Sequence, residues 1–259
     1  MKFVTYTNID GETPRFGFKR GEKIIDVIRS GIWVNENKKD ASFLTIPTTL
    51  KLALSNWDIN FSKLKNLNQV IPDTNLSSME VDKKPIAIKE SEADLLPPVT
   101  NPNTFRDFYA FEQHVKAARK LRGLKMHPDW YKLPIFYFSN PTTLYGHGEI
   151  VPYPTGTEEL DFELEFAIII ANGGQNIKKE NADKMIAGYT ILNDWSARDL
   201  QREEMQLNLG PAKGKDFANS FGPYMVTPDE LTDAWDNNKL HLRMTCHVNG
   251  KLISDGNTN

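Results

Sequence analysis

The chain has 259 residues, enough to bury a hydrophobic core without help from disulfide bonds. Its 31 basic and 34 acidic side chains give a formal net charge of −3, which indicates neither a nucleic acid nor an anionic membrane as a partner. The single cysteine, Cys246, excludes an intramolecular disulfide and lies in an alternating pattern that predicts a packed strand.

The first 95 residues predict a small α+β domain. Two strand-like pieces, KFVTYT and RFGFKR, flank the turn sequence NIDGETP and indicate a β-hairpin. The stretch EKIIDVIRSG predicts a helix ended by Gly31, and residues 41–67 are expected to be partly helical. Polar residues interrupt any signal-peptide core, and no apolar run reaches the roughly 18 residues of a membrane helix, so we expect a cytoplasmic protein.

A cluster of prolines in LLPPVTNPNTFRDF marks the predicted domain boundary, because proline continues neither a helix nor a strand ladder. We therefore expect a small domain at residues 1–95 and a second domain at residues 96–259. The second region alternates strand patterns with shorter helical ones, such as NADKMIAG and SARDLQREEMQL. The predicted fold class is α+β, mainly β.

The first candidate functional residues of the second region lie on an acidic strand. In LDFELEF, strict alternation places Asp161, Glu163 and Glu165 on one face and apolar residues on the other. Like charges on one face repel each other, so they require a cation or solvent. Two carboxylates at this spacing can reach one hard divalent ion, but a solvated acidic edge strand explains the pattern equally well.

A third acid lies at the end of another apolar run. Asp194 follows AGYTIL directly, at a strand end where active-site residues commonly gather. Ser196 is predicted to cap a helix that carries Arg198 and Gln201 on one side. Acids beside an arginine and a glutamine predict a site for both a cation and an anionic ligand.

Asp107 and His114 lie in RDFYAFEQHVKAARK, which predicts a helix from about Phe108 onward. By itself His114 is typical of a surface histidine. The other histidines show no metal-ligand spacing and are interpreted as structural; they are His127, His147, His241 and His247.

Two lysines, Lys213 and Lys215, flank Gly214 in PAKGKDFANSFGP. A glycine allows backbone to approach a ligand closely, so this loop is a candidate binding segment. The pattern does not distinguish which lysine faces a ligand and which is solvated.

Five segments together resemble, in order, the signature segments of the fumarylacetoacetate hydrolase family. They are RDFYAFEQHV, LDFELEFAIII, GYTILNDWSARDLQ, KGKDFANSFGP and VNGKLISDGNTN. The resemblance runs from about Thr104 to the end of the chain. It implies a fumarylacetoacetase-like mixed β-roll catalytic domain, preceded by a smaller N-terminal domain, in a homodimer. It also favours the metal interpretation over the solvated acidic strand.

The resemblance implies a role for each of eight residues. The metal ligands would be Glu163, Glu165 and Asp194, with Asp107 as an additional ligand of hydrolytic members. The catalytic residues would be His114 together with Arg198, Gln201 and Lys215, which hold the substrate's oxygens. Magnesium, manganese and calcium ions all suit a set of carboxylate ligands, and magnesium is the expected cofactor.

The implied function is metal-dependent hydrolysis of a carbon–carbon bond in a small 1,3-dioxo or acylpyruvate-type acid, as in aromatic-compound catabolism. Alternatives are an oxaloacetate decarboxylase, an oxo-enoate hydratase or isomerase, and a non-catalytic relative that binds a dicarboxylate. Asp107 and Gln201 favour hydrolysis, whereas Ala117 stands where acylpyruvase-type members carry a glutamate. Because family members continue beyond the GNTN segment, we expect the catalytic domain to be incomplete at Asn259.

Overall fold

The computed structural model describes residues 1–8 and 13–258. The α-helices are α1 (Val27–Lys38), α2 (Leu50–Leu54), α3 (Trp57–Val70), α4 (Glu112–Leu121) and α5 (Arg198–Met205). The strands of the first 100 residues are β1 (Lys2–Asn8), β2 (Arg15–Arg20), β3 (Lys23–Asp26), β4 (Glu80–Val81), β5 (Lys84–Pro85), β6 (Ala87–Lys89) and β7 (Ala93–Leu96).

The remaining strands belong to the second part of the chain. They are β8 (Phe105–Phe108), β9 (Phe136–Ser139), β10 (Leu144–Tyr145), β11 (Leu160–Asp161), β12 (Leu164–Ile170), β13 (Ile186–Asp194), β14 (Ser196–Ala197), β15 (Asn219–Phe221), β16 (Met225–Val226), β17 (Trp235–Asp236), β18 (Lys239–Leu240), β19 (Arg243–Val248) and β20 (Lys251–Asn257). Short 3-10 helices occupy Ala41–Thr45, Leu76–Ser78, Glu90–Glu92, Pro128–Tyr131, Lys179–Met185 and Pro228–Ala234. The predicted class, α+β and mainly β, is confirmed.

One ten-stranded sheet runs through both parts of the chain. Its order is β10-β15-β13-β16-β1-β2-β3-β6, with β12 paired to β13 and β7 paired to β1. The junction is the antiparallel pair β1–β16, in which Phe3 lies opposite Met225. The division into domains at residues 1–95 and 96–259 stays a prediction, and a shared sheet connects those two segments.

The main hydrophobic core lies between the N-terminal strands and the helices that cover them. Phe3 packs against Phe16 and edge-on against Trp57, with ring centroids 5.6 and 5.7 Å apart. Met225 of β16 is buried in the same cluster, so the second part of the chain is anchored there as well. Each large apolar side chain buried in this way stabilises the fold by about 1.5–3 kcal/mol.

The structure confirms the predicted strands of the N-terminal hairpin. β1 and β2 pair antiparallel, with Phe3 opposite Phe18 and Val4 opposite Gly17. The predicted turn between them falls on residues 9–12, outside the described residues. Cys246 also lies in a strand, β19, as its alternating pattern predicted.

The helix predicted over EKIIDVIRSG begins later than expected. Ile24 and Ile25 belong to β3, which pairs with β2, and helix α1 begins at Val27. This correction reflects the strong preference of β-branched residues for a sheet when a partner strand is present. Gly31 lies inside α1 and does not end it. A glycine suits this position because a Cβ there would lie 3.0 Å from the Phe43 carbonyl oxygen.

The strand patterns of the second part are confirmed, but the helix expected from Phe108 is wrong at its start. Phe108 ends strand β8, which pairs with β9, and helix α4 begins at Glu112. The pattern NADKMIAG forms the 3-10 helix Lys179–Met185 and then enters β13. Among the described residues, no helix combines the length and apolar composition that crossing a bilayer requires.

Replacing Asp26 by alanine is expected to lower the free energy of unfolding by about 3–5 kcal/mol. Its carboxylate is 1 % exposed, accepts the Tyr6 hydroxyl at 2.8 Å, pairs with the Arg15 guanidinium and caps α1 through the Arg29 amide. Removing it leaves these donors buried without this acceptor. Urea unfolding checks the prediction, with the exposed Asp58→Ala as control; equal losses for the two variants would contradict it.

Candidate metal centre and active site

Three carboxylates from three separate strands converge on one point. Asp107 of β8, Glu165 of β12 and Asp194 of β13 each offer an oxygen, and these oxygens lie within 4.8 Å of one another. The sheet register explains part of this, because Glu165 lies opposite Leu192, two residues before Asp194 on the same face of β13. The antiparallel pair of β8 and β9 adds the third acid.

The acidic strand is interrupted rather than continuous. β11 ends at Asp161 and β12 begins at Leu164. Between them the Glu163 amide donates to the Asn193 side chain at 3.0 Å, and the Glu163 carbonyl accepts the Asp194 amide at 3.2 Å. Contacts with the end of β13, and not strict alternation, therefore fix the backbone at Glu163.

Glu163 contacts two cations instead of joining the three-carboxylate cluster. Its carboxylate lies 2.8 Å from the Lys215 ammonium and 2.8 Å from the Arg198 guanidinium. Burial alone would raise the pKa of Glu163, but the two cations outweigh it and lower the pKa to about 2. Its predicted role as a metal ligand stays a prediction.

The cluster suits a divalent cation on electrostatic grounds. Burial, and then the neighbouring carboxylates led by Asp107, raise the pKa of Glu165 to about 10. Burial also raises the pKa of Asp194 to about 6 although Lys215 opposes it, and it raises the pKa of Asp107. Among the described residues, the buried Asp194 Oδ1 has no hydrogen-bond partner. Three crowded carboxylates with an unused buried oxygen fit a hard cation such as Mg²⁺ or Mn²⁺.

Manganese affinity is expected to rise with pH. Glu165, whose pKa is raised to about 10, carries a proton at neutral pH that must leave when its oxygen binds an ion. Release of one proton makes the dissociation constant for Mn²⁺ fall about tenfold per pH unit. Calorimetric titrations at pH 6, 7 and 8, in buffers of different ionisation enthalpy, measure both quantities. A constant affinity with no proton release would refute this expectation.

Lys215 is the buried lysine of the candidate binding loop. It is 3 % exposed, and its ammonium lies 2.6 Å from Asp194 Oδ2 and 2.8 Å from Glu163 Oε2. Burial lowers its pKa, but the carboxylates of Asp194 and Glu163 outweigh burial, so the net pKa lies above the usual value. Lys213 is exposed, and this decides which of the two lysines faces the site.

Gly214 allows a close approach to helix α5, whereas the sequence pattern predicted a close approach to a ligand. A Cβ there would lie 2.8 Å from the backbone nitrogen of Gln201, so helix α5 itself comes close to the loop. Arg198 of the same helix donates to Gln201 Oε1 at 3.1 Å and to Asp161 at 2.7 Å. Helix α5 thus holds the predicted arginine and glutamine beside the acidic residues.

The predicted capping role of Ser196 is wrong, and the predicted catalytic role of His114 is not tested. Ser196 does not cap α5: it lies in β14 and its hydroxyl donates to the Asp194 carbonyl at 3.2 Å, because the chain is still extended there. His114 is exposed on α4 and its ring contacts Tyr109 edge-on, with centroids 6.2 Å apart. The catalytic role of His114 stays a prediction.

Tyr137 belongs to the site although the sequence did not single it out. It lies opposite Asp107 in the antiparallel pair of β8 and β9, and its hydroxyl contacts Asp194 Oδ2 and, at 3.3 Å, Asp107 Oδ2. Burial, then these two carboxylates, raise its pKa, so the hydroxyl remains a donor. Alternation places Tyr137 on the opposite face of β9 from Phe136 and Phe138, but only the structure shows that the two phenylalanines are the exposed ones.

Comparison with known families agrees with this geometry. Residues 103–259, more than half of the chain, match the family described as fumarylacetoacetate (FAA) hydrolase C-terminal. The chain belongs to the fumarylacetoacetate hydrolase family. The resemblance of the five sequence segments is thereby confirmed.

Relatives in this family include more than one kind of enzyme. Fumarylacetoacetase from Oryza sativa subsp. japonica is 33 % identical over 176 residues, which cover 60 % of this chain and 41 % of the relative. Oxaloacetate tautomerase YisK from Bacillus subtilis is 36 % identical over 124 residues, which cover 48 % of this chain and 39 % of the relative. The matched region therefore spans less than half the length of these two relatives.

Solved structures share the fold along the whole chain. Maleylpyruvate hydrolase from Sphingobium sp. SYK-6, in complex with manganese (II) ion and pyruvate, has a TM-score of 0.62 at 18 % identity and covers 100 % of this chain and 77 % of its own. Fumarylacetoacetate hydrolase from Exiguobacterium antarcticum has a TM-score of 0.60 at 23 % identity, over 99 % of this chain and 75 % of its own. At these identities the likeness establishes the fold.

Proposed function

We propose that this protein is a divalent-metal-dependent enzyme that hydrolyses a carbon–carbon bond in a small 1,3-dioxo or acylpyruvate-type acid. The observation that carries the proposal is the convergence of Asp107, Glu165 and Asp194 beside the buried ammonium of Lys215. Asp107 matters most for the choice of reaction, because the resemblance associates this additional acid with hydrolytic members.

The metal would be held by the three converging carboxylates, with Glu163 as a further ligand. A bound Mg²⁺ or Mn²⁺ supplies a Lewis acid that polarises a substrate oxygen. The structure fits such an ion because the buried Asp194 Oδ1 has no hydrogen-bond partner among the described residues. The relative solved with manganese and pyruvate supports the same choice of metal and of ligand class.

The side chains around the acids bind the substrate and transfer protons in the proposed reaction. Arg198, which is partly buried and paired with Glu163, would bind the carboxylate of the substrate, and Gln201, which accepts from it, would orient the guanidinium. His114 takes a proton from water, and the hydroxide adds to the distal carbonyl. The carbon–carbon bond then breaks, and its electron pair passes to the remaining keto group as an enolate. Protonation of the enolate carbon gives two acids.

Lys215 acts when the enolate forms. Its ammonium is fixed by two carboxylates and shielded from water, so it stabilises negative charge on oxygen without reorganising. Removing one such donor costs roughly 3–4 kcal/mol of transition-state stabilisation in comparable sites. The Tyr137 hydroxyl donates to the same oxygen, Asp194 Oδ2, and so supplies a second donor beside Lys215.

A second candidate reaction is the tautomerisation of oxaloacetate. It is favoured by the identity of 36 % to the Bacillus subtilis tautomerase and of 26 % to oxaloacetate tautomerase fahd2 from Xenopus laevis, which aligns with 100 % of this chain. The same acids and Lys215 would stabilise the enol, and no carbon–carbon bond would break. Decarboxylation, hydration and isomerisation use the same enolate and remain alternatives, as does a binding role without turnover.

A substrate panel with and without a chelator tests the proposal. Fumarylacetoacetate, acylpyruvates and oxaloacetate would be followed by ultraviolet absorbance in Mg²⁺ or Mn²⁺ and then in excess EDTA, with products separated by chromatography. We expect chelator-sensitive cleavage of a dioxo acid into two acids. Conversion between keto and enol oxaloacetate without cleavage would select the tautomerase, and turnover that survives EDTA would refute the metal mechanism.

The oligomeric state, the location and the class of partner complete the proposal. The family resemblance supports a homodimer, which analytical ultracentrifugation tests, and a cytoplasmic location stays an expectation from the sequence. The substrate is expected to be a small anionic oxo-acid, and neither nucleic acid nor membrane is an expected partner.

A further inference from the structure

The loop that carries Lys215 is bound to one carboxylate on helix α5. The backbone amides of Ala212, Lys213 and Gly214 donate to Glu204 at 2.7, 2.8 and 3.1 Å, using both carboxylate oxygens. Three consecutive amides directed at one anion form a concave binding site for negative charge. Here the chain supplies that anion itself, from a position ten residues before Gly214.

Gly214 also contacts the start of α5 and the residue before it. The Ala197 amide donates to the Gly214 carbonyl at 2.8 Å, and a Cβ on Gly214 would lie within 2.9 Å of the Gln201 Cα. A larger residue than glycine would push the loop away from the helix. Glu204 therefore holds the loop against the helix that presents Arg198 and Gln201.

The bonds to Glu204 fix the backbone from which the Lys215 side chain extends. The Lys215 amide donates to the Ala212 carbonyl at 2.9 Å, which closes a tight turn over residues 212–215 that contains the three anchored residues. Lysine has a long side chain with about 2 kcal/mol of rotamer entropy, so a fixed backbone is needed to hold its ammonium in one place. That ammonium lies between Asp194 and Glu163.

We propose that Glu204 is a positioning residue, which holds the 212–214 loop on α5 so that the Lys215 ammonium is fixed between Asp194 and Glu163. The inference rests on the proposed function only in giving Lys215 a part in turnover. The alternative is an ordinary solvated helix acid, and Glu203 provides that comparison. It is exposed on the same helix, whereas Glu204 is partly buried.

Chemical labelling tests the placement without any assay of activity. Acetylation of the folded protein by acetic anhydride, followed by peptide mass spectrometry, reports how accessible Lys215 and Lys213 are. In Glu204→Gln we expect Lys215 to react about tenfold faster, as hydrogen bonds to a charged group are lost. Lys213 should react at the same rate in all variants, and Glu203→Gln should match the wild type. Unchanged protection of Lys215 in Glu204→Gln overturns the inference, whatever the activity.

A double-mutant cycle then tests whether Glu204 acts through Lys215. Turnover would be expressed per manganese-binding site, which counts only folded protein. Glu204→Gln is expected to lower kcat about tenfold, and to cause no further loss when Lys215→Met is already present. Turnover is measured in saturating Mn²⁺, because moving the Lys215 ammonium away from Asp194 and Glu163, two proposed ligands, would itself alter manganese affinity. Fully additive losses overturn the inference. Wild-type turnover by Lys215→Met would remove the lysine from the proposed function, and the labelling result alone would then decide whether Glu204 positions Lys215.

Discussion

Glu165→Gln is expected to weaken Mn²⁺ binding by about 100-fold or more, since affinity at oxygen-ligand sites follows the number of charged ligands. Glutamine keeps an oxygen near the cluster but cannot supply the negative charge. Asp107 and Asp194 would remain as the two carboxylates of the converging cluster. Calorimetric titration with Mn²⁺ at pH 8 measures the change directly.

The same substitution should not destabilise the metal-free protein. Burial and neighbouring carboxylates already raise the pKa of Glu165 to about 10, so its uncharged form is the one present near pH 7. A neutral amide of equal size replaces it with little electrostatic cost. The melting temperature should therefore be unchanged in EDTA and lower than wild type in Mn²⁺. Glu159→Gln, an exposed acid paired with Arg202, is the matched control; a dissociation constant equal to wild type for Glu165→Gln would refute its role as a ligand.

Lys215→Met is expected to lower kcat by about a hundredfold or more, the usual cost of removing one donor to a developing oxyanion. Methionine preserves much of the apolar stem but removes the ammonium that contacts Asp194 and Glu163. The loss should appear in kcat, because the charge on the substrate oxygen develops only as the bond breaks. Steady-state kinetics on the substrate found by the panel provide the measurement, and a loss below about threefold would exclude Lys215 from the mechanism.

Stability requires its own control for this variant. Without Lys215, the buried carboxylate of Asp194 loses its cation, which is destabilising by about 3–5 kcal/mol when nothing replaces it, whereas Glu163 keeps Arg198. Kinetics should therefore be measured in saturating Mn²⁺, with the folded fraction verified by circular dichroism. The exposed neighbour Lys213→Met is the control and should retain both stability and turnover.

The sequence located the strands of Glu165 and Asp194 because those strands have local patterns, whereas strict alternation did not extend to Glu163. Alternation identified the strand that carries Glu165, and an apolar run ending in Asp194 identified the neighbouring strand end. Both strands are long, and pairing between them follows from their apolar faces. The resemblance added Asp107, which no local pattern connects to the other two acids.

Local patterns were less informative where long-range contacts decide the conformation. Ile24 and Ile25 fit a helical apolar stripe with Val27 and Ile28 but pair with β2. Ser196 precedes a helix but remains extended. Tyr137 was missed because its partners, Asp107 and Asp194, are 30 and 57 residues away in the sequence. No window of the chain contains such a contact.

By itself, the sequence determined the mainly β class, the family and which acidic residues are candidates for binding a metal. These depend on short periodic segments and on motifs in a constant order. Only the tertiary structure decided that Glu163 contacts Lys215 and Arg198 while Glu165 joins Asp107 and Asp194. The physical reason is that a carboxylate's partners are set by which strands and loops fold beside it, and burial then makes the charge of each partner decisive.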